Sequence, residues 1–363
     1  MSKLERFDKW LTTDDLAAIV IREPLTPVEG PDGVFFPATF AASEDKTFPG
    51  GYNIDPPTGD KNVCLVDSVG SQANRMEPLF AKPPYSELVP QVVIEAGEKK
   101  VNLLEASHRA GDAIVRCTPL QKKLQEAFSE VLRGNAVLLA KIAPTSLVFG
   151  VWDSRDTQAK LPRLIAATIR AFDVQRLTRS AQFIPTVDYI GLGLLEDTQD
   201  KKLKDAYSER GFIHVPASGS HGGVIARSGI RRDVTFSLAA LRLLSAANDD
   251  EQTLKLRRYV LGLSLVSLTA PTQTYLRQGC NLVPDVDKPR TVELVHTSGK
   301  RDPLTLSHDE ALTFAQLAAE AFKVGDSLTA RFDPELAKKD IAGSGEAKQS
   351  RKSKGKATEA KSE

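Results

Sequence analysis

Ten consecutive residues, Tyr259 to Leu268, carry no charge and would be apolar on almost every side of a helix. They close a longer helical stretch that begins at Leu254. A helix without a polar face must be enclosed by other elements. The run is well short of the roughly 20 residues that cross a bilayer, so it belongs in a globular core. The chain has the material to enclose it: 363 residues, 41% of them hydrophobic and 26% charged, the balance of a soluble globular protein. No apolar stretch of the chain is long enough to span a membrane. The charged N-terminus, MSKLERFDKWLTTDD, lacks the apolar segment of a secretory signal, so a cytoplasmic location is expected. Cys64, Cys117 and Cys280 form no CxxC pair and are expected as buried, reduced thiols. The five histidines show no metal-ligand spacing, so neither metal nor cofactor is expected.

The run Asn62 to Phe80 reads as a strand, Val63-Cys64-Leu65-Val66, that turns directly into a helix. A helix start leaves backbone N–H groups unpaired, and its dipole favours an anion. Small residues at Ser68, Gly70 and Ser71, followed by Gln72, Asn74 and Arg75, suit such a start to a phosphate or an RNA backbone. Downstream, Gln91–Ile94 and Lys100–Leu104 flank a turn in a hairpin pattern. His108 to Arg116 reads as a short helix. Thr118-Pro119 opens a helix that Gly134 ends. Thr145–Trp152 reads as a buried strand. A helix is expected from about Pro162, with Leu161, Ile165, Ile169 and Phe172 on one face and a break near Asp173. Phe212–Val215 and Gly223–Arg227 read as strands around a flexible loop, and Val234–Ala246 as a helix. Thr291–His296 reads as a strand, and Ser307 to Glu310 as a capping box. The irregular alternation, with an early hairpin, predicts an α+β fold with antiparallel pairing. From Ala342 onward the chain has no apolar pattern, and a disordered basic tail over 341–363 is expected.

Net charge is only +1, but it is unevenly spread. Between Arg155 and Gln182 six basic residues face Asp156 and Asp173. Between His221 and Arg242 four arginines face Asp233 alone. Local basic patches of this kind bind phosphate even on a neutral chain. Two further candidates follow. Arg109 stands at a helix start. The glycine-rich loop Ser218–Gly223, holding His221, precedes Arg227, Arg231 and Arg232, whose forks can hold phosphate or stack on bases.

Leu65 to Glu77, together with Leu103–Arg116, Ser146–Arg155, Leu161–Phe183 and Gly222–Leu244, resembles CRISPR-associated RAMP proteins. Most closely it is similar to the backbone subunit (the Cas seven group) of type I-G effectors, formerly called type I-U. The resemblance runs from about residue 60 to about residue 330. It implies an RRM-like (ferredoxin-like) palm over 1–340 with inserted finger and thumb elements, for which 30–60 and 196–225 are the candidate segments. It also implies a non-catalytic protein that polymerises head to tail along a crRNA and presents it for pairing with target DNA. Its companions would be the other Cascade subunits, a large subunit and an RNA-processing subunit, and a separate helicase-nuclease. By position, Ser71, Gln72 and Arg75 would contact guide phosphates; Asn74 joins them on its chemistry. The family pattern often has two adjacent basic residues here, whereas Met76 follows Arg75.

Enzyme signatures are weak. Gly191-Leu192-Gly193 begins a dinucleotide fingerprint, but Glu196 takes the third glycine position, and there is no P-loop, GxSxG or HExxH. Ser220, His221 and Asp233 form a triad only on paper. The alternative reading is a metal-dependent ribonuclease of the same superfamily, using Asp112 or Asp233. A general RNA-binding module is a third.

Overall fold

The first strand, Leu16–Pro27, organises the computed structural model, which describes residues 3–342 apart from 46, 59 and 60. Its odd-numbered side chains Ile19, Ile21 and Leu25 are buried, as alternation along a half-covered strand requires. Ile230–Ser237 pairs antiparallel on one side of it. On the other side, Thr291–His296 pairs with its first half and Cys280–Pro284 with its last three residues. Beyond Ile230–Ser237 lie Ile165–Phe172, Lys61–Asp67 and Ile54–Thr58, all antiparallel.

Leu16–Pro27, Ile165–Phe172, Ile230–Ser237 and Thr291–His296 are first to fourth of the central strands in chain order. Across the sheet they run fourth, first, third, second. That is the split βαβ order of a ferredoxin-like domain. Helices Val69–Met76 and Gln121–Leu132 lie in the first crossover, and Asp250–Thr269 in the second. The chain therefore forms the expected α+β fold, compatible with an RRM-like palm carrying helical inserts.

Helix Asp250–Thr269 is buried throughout from Tyr259 to Leu268. It packs on His308–Phe322, where the Tyr259 ring stacks on Phe322 with centroids 4.8 Å apart. The Tyr259 hydroxyl donates to Leu88 O at 2.8 Å. Gly262 permits the close approach: a Cβ there would stand 2.8 Å from Ala315 Cα.

The covered face of the sheet carries two apolar cores. The larger sets Ile19, Ile165, Val234 and Phe236 against the helices. The smaller sets Leu25, Ile169 and Ile230 against Phe35, Tyr52 and Leu282. Between them, on the same face, lie the buried side chains of Glu23 and Arg232.

The second and third central strands are joined by an arm rather than a tight turn. Val174–Phe183 and Val215–Ala226 pair antiparallel. Residues 184–214 form the tip, including a helix, Lys201–Glu209, with no buried residue. The candidate insertion 196–225 lies in this arm. Phe35 and Tyr52 of the 30–60 segment pack against its root, where Phe35 bridges Val224 and the Tyr52 hydroxyl accepts from Gly223 N.

Several expectations are corrected. Ile165–Phe172 is a strand, not a helix: a spacing of four fits both periods, and β-branched Ile165, Thr168 and Ile169 favour the strand. The break at Asp173 is present, with φ +52. Thr145–Phe149 is a buried helix begun by Pro144, and only Val151–Trp152 is strand. Val234–Ala246 splits at Ser237, which ends a strand and caps the short helix Leu238–Leu241. Residues 216–222 belong to a continuous arm strand, not a loop. His108–Arg116 is broken at Asp112 into two short turns.

The hairpin Val92–Ala96/Lys99–Asn102, the strand Thr291–His296 and the capping box at Ser307 form as expected; the helix expected from Thr118-Pro119 starts later, as Gln121–Leu132, with Thr118 accepting from Leu120 N ahead of it. The three cysteines are buried and unpaired, and burial pushes the Cys64 thiol up to about 12. No described helix is long and apolar enough to cross a membrane. Of the expected tail, residues 343–363 lie outside the described residues.

Candidate nucleic-acid interface

Strand Lys61–Asp67 runs straight into helix Val69–Met76, with Ser68 as the cap accepting from Ser71 N at 3.3 Å. The polar side chains of that helix divide between two sides. Inward, Asp67 is fully buried and gathers the residues the sequence points to. Ser71 Oγ donates to it at 2.9 Å, Gln72 Nε2 at 2.7 Å and Arg75 Nε at 3.1 Å. A fourth donor, Arg277, arrives from the far end of the chain at 2.5 Å. Arg75 also donates to Leu276 O at 2.6 Å. Three of the expected phosphate-binding side chains are thus held by an internal carboxylate, because a buried charge must be paired.

This network continues into the layer between the two cores. Arg232 donates to Gln72 Oε1 at 3.0 Å, to Glu23 Oε2 at 3.1 Å and to Thr272 Oγ1 at 3.0 Å. Its remaining nitrogen lies 3.6 Å from Met76 Sδ. Met76, standing where a second basic residue was expected, packs against a guanidinium and lines a cleft of about 350 Å³ beside it. Arg231 and Arg232 read alike in sequence, but strand alternation places them on opposite faces.

On the exposed face, Arg231 lies opposite Arg170 in register. Its guanidinium stands 5.0 Å from the Phe172 ring centroid and its Nε 2.7 Å from Asp233 Oδ1. Arg170 donates to Thr168 Oγ1, and Arg22, paired in register with Asp233, is exposed. Like charges directly opposite on a sheet repel, so this face favours an anion, with Phe172 as an aromatic surface beside it.

Arg109, expected at an open helix start, is buried. Its Nε pairs with Glu77 Oε2 at 2.6 Å, and its other nitrogens donate to Gly150 O and Asn74 Oδ1. Burial pushes the Glu77 carboxyl up to about 7 against the pull of Arg109 and of the Thr145 hydroxyl, and burial lowers Arg109. Asn74, although its Oδ1 accepts from Arg109, is exposed.

In the arm, Arg227 is exposed and donates to Gln175 Oε1 at 2.5 Å. The His221 ring lies 4.8 Å from Tyr52, with Nδ1 3.4 Å from Arg176. The expected glycine loop is not a cradle for a ligand at Gly222: a Cβ there would meet the backbone of Leu177 and Thr178 at under 3 Å. The glycine makes room for the facing arm strand.

The carboxylates of the ribonuclease reading have structural partners. Asp112 accepts from the backbone N–H of Ile114 and His108, and Asp233 pairs with Arg231. Among the described residues no three His, Cys, Asp or Glu side chains gather as a metal site.

Sequence reasoning missed Asp67 and Arg277, which organise the junction, and Arg22, Arg170 and Phe172 on the open face. Period-two alternation would have found the last two, had Ile165–Phe172 been read as a strand.

Residues 19–176 match the family described as CRISPR-associated protein GSU0053. The match begins in the first strand and ends in the arm. It indicates a CRISPR-associated protein over rather less than half of the chain. None of the curated proteins matches.

Proposed function

We propose that this chain is a non-catalytic, guide-RNA-binding backbone subunit of a type I CRISPR interference complex of the I-G class, acting in the cytoplasm. The observation that carries the reading is the exposed face of the ferredoxin-like sheet. There Arg170 and Arg231 oppose each other beside Phe172 and Arg22, within a chain matched in part by a CRISPR-associated family. Phosphates relieve the repulsion between the arginines, and splayed bases stack on aromatic rings.

Arg231 and Arg227, with His221 and Asn74 at the margins, meet the guide. Ser71, Gln72, Arg75, Arg109 and Arg232 hold the scaffold beneath. The arm suits contact with the next copy, since it carries exposed Phe183, Ile184, Leu192 and Leu194. Such a heterologous contact builds an open head-to-tail assembly when its rotation does not close into a ring. The guide so displayed pairs with target DNA, the protein reading backbone and shape while pairing reads sequence. Partner subunits and the helicase-nuclease complete the complex.

Assembly on synthetic RNA tests the reading. Sedimentation of the protein with RNAs of increasing length is expected to give species whose protein count rises stepwise with length. A fixed one-to-one complex at every length would contradict it.

A further inference from the structure

Around Arg163, which approaches Gly70 in the first turn of helix Val69–Met76, lies a groove of about 390 Å³, within the size range that holds small ligands. One wall is a short hairpin in which Val151–Trp152 pairs with Lys160–Leu161. Trp152 is 56% exposed. Lys160 Nζ stands 5.5 Å from its ring centroid, on the opposing strand. Arg163 is exposed, and its guanidinium reaches the first turn of the helix: NH2 would be 3.9 Å from a Cβ at Gly70. That turn contains no acidic residue. His108 completes the rim. No residue lining the groove bears a carboxylate. Arg109, at its base, already has its charge met by Glu77. An exposed indole flanked by cations that no internal acid neutralises is a stacking platform with a phosphate site beside it.

We infer that this groove holds one nucleotide of single-stranded RNA, its base stacked on Trp152 beside Lys160 and its phosphate on Arg163. The inference rests on the guide-RNA reading and adds a contact point outside the open sheet face. Trp152 is the stacking residue, Arg163 the anion-binding residue, and Gly70 leaves the helix start open to the phosphate.

The chain has two tryptophans, so a Trp10→Phe protein reports Trp152 alone. Titration of that protein with a ten-nucleotide uridine RNA is expected to quench its fluorescence with saturation, while inorganic phosphate leaves it unchanged. Trp152→Ala is expected to weaken binding of the same RNA roughly tenfold, with Trp152→Phe restoring most of it. Arg163→Gln is expected to lower the salt slope of binding by about one. RNA binding with unchanged Trp152 fluorescence, or quenching by phosphate alone, would overturn the subsite and leave the guide-RNA reading standing. Failure of the unsubstituted protein to bind RNA would overturn that reading itself.

Discussion

Helices His308–Phe322 and Val69–Met76 both begin with a capping serine, and they treat negative charge in opposite ways. At His308–Phe322, Ser307 accepts from Glu310 N at 3.2 Å, and the Glu310 carboxylate returns to Ser307 N at 2.9 Å. Asp309 and Glu310 supply the anion that the dipole favours, and Arg6 pairs with Glu310 at 2.7 Å. At Val69–Met76, Ser68 caps in the same way, but the first turn has no acid and Arg163 stands beside Gly70. Its nearest carboxylate, Asp67, is drawn inward to hold Gln72, Arg75 and Arg277. The first helix start is self-satisfied. The second keeps its charge balance inside the fold and its open side toward solvent. The same residue types therefore mean different things according to which side of the element they occupy.

The largest effect that would break this comparison comes from removing the inward acid. Asp67→Ala leaves two guanidiniums and a buried amide without their acceptor, and a loss of about 4–5 kcal/mol in urea denaturation is expected. Next, Arg232→Met removes the nearer of the two guanidiniums that face Glu23, leaving Arg290 at 3.9 Å, and should cost about 3 kcal/mol. Arg231→Met, one residue away on the exposed face, should change stability by under about 1 kcal/mol. That variant should instead lower RNA affinity and the salt slope of binding; equal stability losses at the two positions would erase the distinction between the faces.

A smaller change gives the open helix start what the closed one has. Gly70→Glu places an acid beside Arg163 in a first turn with space for it. Stability should rise by about 0.5–1 kcal/mol from helix propensity and dipole, while RNA affinity falls. A gain in both would remove this turn from the interface. The smallest effect is at the closed start. There the Ser307 N–H, the Arg6 side chain and the Ser307 hydroxyl hold the Glu310 carboxyl down to about 2 from its ordinary 4.5. The ionised form is favoured by folding, so the contribution is full above about pH 4.5 and is lost as pH falls toward 2. Glu310→Gln should flatten that part of the acid unfolding curve, and an unchanged curve would deny the cap its electrostatic role.

What could be read from the sequence follows from how local each feature is. The buried helix ending at Leu268, the Ser307 box and the hairpin at residues 92–102 depend on neighbours a few residues away, and they form as read. Ile165–Phe172 failed because Leu161, Ile165 and Ile169, four apart, satisfy a helix and a strand equally. The arm strand Val215–Ala226 was hidden by the glycines and serines in its sequence; Gly222 there serves close packing against Thr178. At the site, the strand-helix junction was legible, but the use of its side chains was not. Asp67 meets Arg277, 210 residues further on, and no local pattern announces such a pair. Arg231 and Arg232 could have been separated by alternation alone, once their segment was recognised as a strand.

The central claim, that the protein grips a guide RNA, is tested most directly by the nucleic acid that accompanies it when isolated with its native partners. Extraction and sizing of that material should yield RNA of one discrete guide length, protected along its span by several copies of the chain. Freshly isolated complex without RNA, or with RNA of random length, would contradict the account.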